Sequence, residues 1–378
     1  MGFCLGLAGG HVDRMNPGLT SFRAFAFLAV YLYHAHVLSV GYLGVQAFFV
    51  LSGFLLTPIL IDMKQSMSTR HYFTKFYGRR ALRIFPLYYL YLGIVALYCL
   101  RLMMRAQFEF EPVSAAYFNE LPWALTYTYN FFNAAHPEQV TPLLSHFWSL
   151  AVEEQFYLVW PLILLATPKR WLKTMLLVFI AMGPLLRILV ASLWGTKVVP
   201  GIQGPVELAV YLLPFSHLDA FALGGFFALF RTSISKAAAL RLLLAVVALG
   251  LCSEYLANGQ IRDWTGLGYM PLMLDSGKSI WGYSVLNVAF GCILLQVRDG
   301  KFLRLLFENR VVRYLGEISY GLYVFHFIVL GYYTLYHPEY SANKRMVVAL
   351  LVTILLSAIS YELMEKRFIR MKDRIFAR

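Results

Sequence analysis

Ten apolar runs constrain this chain more than any other feature of its sequence. Each approaches the ~20 residues that a helix needs to cross a bilayer. They lie at 19–39, 43–62, 84–104, 147–166, 172–194, 207–230, 238–257, 279–297, 315–336 and 346–365. Hydrocarbon offers the backbone no hydrogen-bond partner, so a spanning segment must satisfy its own amides, and runs of this length do so as helices. The predicted fold is all-α, a polytopic membrane helical bundle of about ten transmembrane helices. The membrane domain is expected over 19–366, with an N-terminal segment at 1–18 and a basic tail at 367–378. The longest polar interval, about 105–146, holds an aromatic stretch at 123–132 that suits a re-entrant or interfacial position.

Composition supports the bilayer as the folding solvent. Apolar residues make up 59% of the chain and charged residues 14%, against ~45–50% and ~25% in soluble domains. The net charge of +13 does not imply nucleic acid, because the basic residues fall in short loops rather than along one soluble face. Their placement sets the expected topology instead. With the N-terminus in the cytoplasm, 24 of the 33 Lys and Arg fall in inner segments and six in outer loops. That asymmetry predicts cytoplasmic termini and an even number of spans. The start of the chain lacks a basic region before its short apolar run, and Gly6 breaks the myristoylation pattern. Helical patterning begins just after Met15, which makes that residue a candidate translation start. The four cysteines show no paired spacing, so neither a disulfide nor a metal site is expected.

Ionisable groups inside spans cost at least ~2.5–3.5 kcal/mol and are functional candidates by default. Here they are Arg23, His34, Glu153, Glu154, Arg187, Glu207, His217, Asp219 and His326. Arg23 and His34 are eleven residues apart, close to three turns, so they share one helix face at an axial distance of ~16 Å. Arg80 and Arg83 share a face at i and i+3, and their planar forks suit phosphate; positive-inside decoration is the plainer account. Ser149, Glu153 and Tyr157 form an i, i+4, i+8 stripe. Glu153 at a depth matching His34 would orient that imidazole, and a structural Glu–Arg pair is the alternative. Asp219 and His326 sit near mid-membrane, and Ser319, Tyr323 and His326 form a stripe that suits a wet cavity and helix–helix hydrogen bonding equally.

On these residues the chain resembles the acyltransferase-3 family of integral-membrane carbohydrate O-acyltransferases. The likeness lies in Arg23-x10-His34, GVQAFFVLSGFLL at 44–56, RALRIFPLYY at 80–89, FWSLAVEEQFYLVWPL at 147–162 and ISYGLYVFH at 318–326. The resemblance implies transfer of an acyl group, most often acetyl from acetyl-CoA as co-substrate, to a hydroxyl of a cell-envelope or secreted glycan. It implies essential roles for Arg23 and His34, donor binding at Arg80 and Arg83, no metal, and a multi-pass place in a bacterial cytoplasmic (inner) membrane. Two departures stand out: Gln46 where many members carry Asp, and His217 two residues before Asp219 where an Arg is frequent. Some members append an extracytoplasmic esterase-like domain. This chain ends soon after its last predicted span, so delivery is expected within the membrane domain or on a separate protein.

The physical reading that fits places the donor phosphates against Arg80, Arg83 and Arg23, the thioester near His34, and a carbohydrate acceptor approaching from outside. His34 then serves as general base, with Glu153 as its orienting partner, or as an acyl carrier. A small glycoside or lipid-linked metabolite is an alternative acceptor. A glycerolipid acyltransferase is disfavoured, since none of the nine His has Asp five positions later. A proton-coupled transporter or flippase would also use intramembrane Arg, His and Asp, but no inverted repeat supports one.

Overall fold

The computed structural model describes residues 16–104, 111–195, 205–230, 233–273, 277–300 and 304–376. The candidate start at Met15 lies outside them. Among the described residues the chain forms helices and no strand. In order they are α1 (Pro17–His34), α2 (Gly44–Ser66), α3 (Thr69–Met104), α4 (Glu111–Leu125), α5 (Tyr129–Ala135), α6 (Trp148–Ala166), α7 (Leu172–Gly195) and α8 (Val206–Leu212). There follow α9 (Leu218–Phe230), α10 (Lys236–Asn258), α11 (Lys278–Arg298), α12 (Arg304–Phe307), α13 (Arg310–Glu317), α14 (Ser319–Tyr336), α15 (Ala342–Ser360) and α16 (Lys366–Ile375).

Seven of these segments are long and apolar enough to cross a membrane, and nine are if the bent pairs α8/α9 and α13/α14 each count as one span. The bends are 64° and 74°. The first of the ten predicted spans, α1, is not in that set, because Arg23, His34 and the Thr20–Ser21 pair dilute its apolar character. The polar interval contains α4 and α5, and the aromatic stretch at 123–132 runs from the end of one into the other. The sequence-predicted tail is helical: a π turn at Tyr361–Glu365 joins α15 to α16.

Burial separates a central layer from a peripheral one. Two thirds of the apolar window of α2 is buried (67%), against 22% in each of α7, α10 and α15. The outer helices turn side chains such as Leu189, Leu244 and Leu351 outward, each more than half exposed, as hydrocarbon-facing residues should be. In the centre, α2 and α9 touch backbone to backbone. A Cβ built on Gly224 would lie 2.0 Å from the carbonyl oxygen of Val50, and one on Gly53 would lie 2.0 Å from that of Phe221. Lipid tails are as apolar as Leu, so such close packing, rather than water exclusion, is what drives helix association here.

Local chemistry fixes several helix ends. The Asn16 side chain accepts from the Gly18 amide (2.9 Å) and donates to the Arg298 carbonyl (2.9 Å), which ties the start of α1 to the end of α11. Lys64 donates to the carbonyls of Leu164 (2.9 Å) and Thr167 (2.6 Å), placing a cation at the negative end of α6. With 36 residues, α3 is ~54 Å long, well beyond the ~30 Å hydrocarbon core. Its first turns, which carry Arg79, Arg80 and Arg83, therefore extend past its apolar part. There α16 packs on α3 through the ion pair Arg79–Asp373 (3.1 Å).

Candidate functional site

Five helices converge on one cavity. Arg23 comes from α1, Ser52 from α2, Arg80 and Arg83 from α3, Ser149, Glu153, Glu154 and Tyr157 from α6, and Ser319, Tyr320 and Tyr323 from α14. Three guanidinium groups thus face two carboxylates. The Arg80 guanidinium lies over the rings of Tyr157 (5.2 Å) and Phe76 (5.8 Å), cation–π contacts that hold it in place without neutralising it. Among the described residues, no hydrogen bond or ion pair ties Arg23, Arg80 or Arg83 to a carboxylate. Ser319 and Tyr320 stand in the first turn of α14, so the positive end of that helix adds to the field. The lining therefore carries one more guanidinium than carboxylate.

Glu153 is occupied on the arginine side. It accepts from Ser52 Oγ at 2.5 Å and from the Tyr157 hydroxyl one turn away. It therefore does not orient His34, contrary to the sequence expectation. The reason is axial. α1 ends at His34 itself, whereas α6 starts only at Trp148, after a 3-10 turn at Ser145–Phe147. Glu153 is five residues inside its helix, about 7.5 Å deeper.

The imidazole partner of His34 is His326. His34 Nδ1 and His326 Nε2 are 2.9 Å apart, with ring centroids at 5.1 Å and planes within 18°, the geometry of an in-line N–H···N bond. His326 Nδ1 meets the Tyr323 carbonyl at 2.7 Å. Tyr323 returns to the cavity: its hydroxyl is 2.5 Å from Ser149 Oγ and donates to the His146 carbonyl at 2.9 Å. A polar line thus runs from the arginines through Ser149 and Tyr323 to His326 and His34. Tyr323 and Ser149 line the cavity, and the histidine pair stands one turn of α14 beyond it.

His146 and Ser52 were missed in the sequence. His146 lies edge-on to His326 (5.2 Å) and stacks on Phe327 (5.2 Å). Its Nε2 is 3.3 Å from the Val324 carbonyl, and its buried Nδ1 has no hydrogen-bond partner. Its place three residues before Ser149, at the start of the polar stripe, was the available signal. Ser52 stands in an apolar run, and nothing nearby marks it.

Asp219 lies outside the cavity. It is paired with Arg187 of α7, with Nη2–Oδ2 at 3.0 Å and Nη1–Oδ1 at 3.2 Å, and it accepts from Ser284 Oγ at 2.5 Å. Arg187 also donates to the carbonyls of Ile280 and Ser216, each at 2.6 Å. An Arg–Asp pair is therefore present although His217 precedes Asp219; its arginine comes from another helix. Gln46 is likewise structural, donating to Asn287 Oδ1 at 2.8 Å. Among the described residues, no group of three or more His, Cys, Asp or Glu is arranged to hold a metal ion.

Known proteins resemble this chain over most of its length. The profile of the family described as an acyltransferase domain matches residues 16–362. Relatives include O-acetyltransferase OatA of Staphylococcus aureus (strain NCTC 8325 / PS 47), 24% identical over 93% of this chain and 57% of its own length. Peptidoglycan O-acetyltransferase OatA of Listeria monocytogenes is 25% identical over 92% of this chain and 55% of its own. A putative O-acetyltransferase of Staphylococcus aureus (strain MSSA476) is 27% identical over 94% and 57%. The chain thus spans little more than half the length of these relatives. No solved structure matches.

Proposed function

The chain belongs to the acyltransferase-3 family, and from that premise we propose that it carries an acyl group, acetyl in the simplest case, from cytoplasmic acyl-CoA to a hydroxyl of a glycan outside a bacterial cytoplasmic membrane. It is an acyltransferase with several membrane-crossing helices. The donor, the acceptor and the direction of transfer are the proposal. One observation carries it: α1 bears Arg23 in a cavity with Arg80 and Arg83, and at its other end His34, hydrogen-bonded and partly open.

The basic residues favour a cytoplasmic position for the arginine end. There Arg80, Arg83 and Arg23 hold the donor's phosphates through charge-assisted hydrogen bonds. The ~16 Å between Arg23 and His34 along the helix suits an extended pantetheine arm. His34 is the general base. Its Nε2 takes the proton of the acceptor hydroxyl as that oxygen attacks the thioester carbonyl, the C–S bond breaks, and the proton passes to the departing thiolate. The Listeria relative is a peptidoglycan O-acetyltransferase, which makes peptidoglycan the first glycan to test.

The test combines radiolabelled acetyl-CoA with membranes holding wild-type protein or His34→Ala, and scores base-labile esters on the glycan. Label should reach the glycan only with wild-type protein, while the variant remains in the membrane. Equal labelling by His34→Ala would remove that residue from the mechanism.

A further inference from the structure

We infer that His326 is the positioning residue of His34, fixing its tautomer and holding the charge that forms on it during transfer. The inference rests on the role of His34 proposed above and adds to it a residue on a different helix. It follows from counting hydrogens along the line of contacts. The Tyr323 carbonyl can only accept, so His326 Nδ1, 2.7 Å away, carries the hydrogen. In a neutral imidazole the other nitrogen is then an acceptor. His326 Nε2 therefore takes its hydrogen bond from His34 Nδ1, 2.9 Å away. His34 is left with its lone pair on Nε2, the nitrogen that does not face His326. One backbone carbonyl on α14 thereby determines which nitrogen of an imidazole on α1 is basic.

The surroundings hold the arrangement in place. His326 is fully buried. The edge of Phe27 meets its ring at 5.6 Å, and Phe327 meets His34 edge-on at 4.7 Å. When Nε2 of His34 takes a proton from the acceptor, its Nδ1–H already points at the His326 lone pair. The positive charge is then shared between two rings, and the far one donates to the Tyr323 carbonyl. This is the part a carboxylate plays in a Ser-His-Asp triad, filled here by a neutral group. The titratable groups facing the pair are His146, Tyr31, Tyr33, Tyr323 and His36.

The variants that test this differ in which half of the contact they keep. His326→Gln places an amide oxygen near the Nε2 position and can still accept from His34. His326→Asn reaches only the Nδ1 position and can still bond the Tyr323 carbonyl. His326→Ala keeps neither. Orienting groups of this kind are worth ~10²–10⁴-fold in rate. Acetyl transfer by Ala and Asn should fall by ~10²-fold or more in kcat with the KM for acetyl-CoA unchanged, and Gln should stay within ~10-fold of wild type. Equal rates for Gln and Asn, an Asn variant faster than Gln, or a loss seen in KM alone would overturn the inference. Should Ala fail to accumulate in membranes, the Gln–Asn order decides by itself. Wild-type and His34→Ala protein run alongside keep the two readings apart: an active His34→Ala sinks the role of His34, whereas a wrong order among the His326 variants sinks only that of His326.

Discussion

Arg187 and Asp219 form a two-point ion pair, at 3.0 and 3.2 Å, with both side chains almost wholly removed from solvent. Breaking such a pair from one side leaves a buried charge uncompensated, at ~3–5 kcal/mol. Asp219→Ala and Arg187→Ala should each lower the thermal midpoint of the detergent-solubilised protein sharply and reduce its amount in membranes. An Arg187→Met/Asp219→Leu double variant should recover part of the loss. A single variant with wild-type stability would show that the pair does not hold α7 to α9.

The proposed donor site should reveal itself in KM. Each charge-assisted hydrogen bond contributes ~1.5–3 kcal/mol, so Arg80→Ala and Arg83→Ala should raise the KM for acetyl-CoA by ~10- to 100-fold. Arg80→Lys should recover little, because an ammonium has no planar fork and stacks poorly on Tyr157. Initial-rate kinetics on membranes decide this; an unchanged KM would remove these residues from donor binding.

Glu153 offers a test of the corrected pairing. It is bonded to Ser52 and Tyr157 rather than to His34, so Glu153→Gln should change donor KM and leave the pH dependence of kcat where it was. A shifted kcat profile would instead link Glu153 to the base.

A carboxyl group away from the apolar spans predicts a stability effect of pH. Glu120 of α4 accepts from Tyr129 and from the amide and hydroxyl of Thr141. Burial nevertheless pushes its pKa up to about 7. The folded state then binds the proton more tightly than the unfolded one. Stability from this group is fully present below the ordinary carboxyl pKa and is lost as pH rises through about 7. Thermal midpoints across that window should fall less steeply in Glu120→Gln than in wild type; parallel curves would contradict the assignment.

The α2–α9 seam predicts a steric failure. A methyl group at Gly224 meets a backbone carbonyl that no rotamer can move, and overpacking of this kind costs ~1–3 kcal/mol or more. Gly224→Ala should yield markedly less folded protein, measured by size-exclusion profile after extraction, whereas Gly93→Ala, which meets nothing within 4 Å, should not.

The helical class and most of the spans were legible in the sequence because hydrophobic run length is a local property. So was the separation of Arg23 and His34 along α1, since an eleven-residue spacing fixes axial distance. Arg23, Arg80 and Arg83 meet in one cavity as their residue types suggested. The partner of His34 was not legible. Depth in a bundle depends on where each helix begins, and the short 3-10 turn before Trp148 shifts Glu153 away from the end of α1. The Arg187–Asp219 pair was hidden for a related reason: its partners stand 32 residues apart on different helices, and no periodicity links them.

The contact between Ser149 and Tyr323 has a consequence for the cell that houses this protein. A continuous aqueous passage from the arginines to His34 would let ions run down a membrane potential worth ~2.3 kcal/mol per charge per 100 mV. Two hydroxyls held 2.5 Å apart line the cavity on the side of the histidines. With transfer read as running from one side to the other, the pantetheine arm must displace that hydrogen bond on its way to His34, so donor entry and insulation fall on the same two side chains.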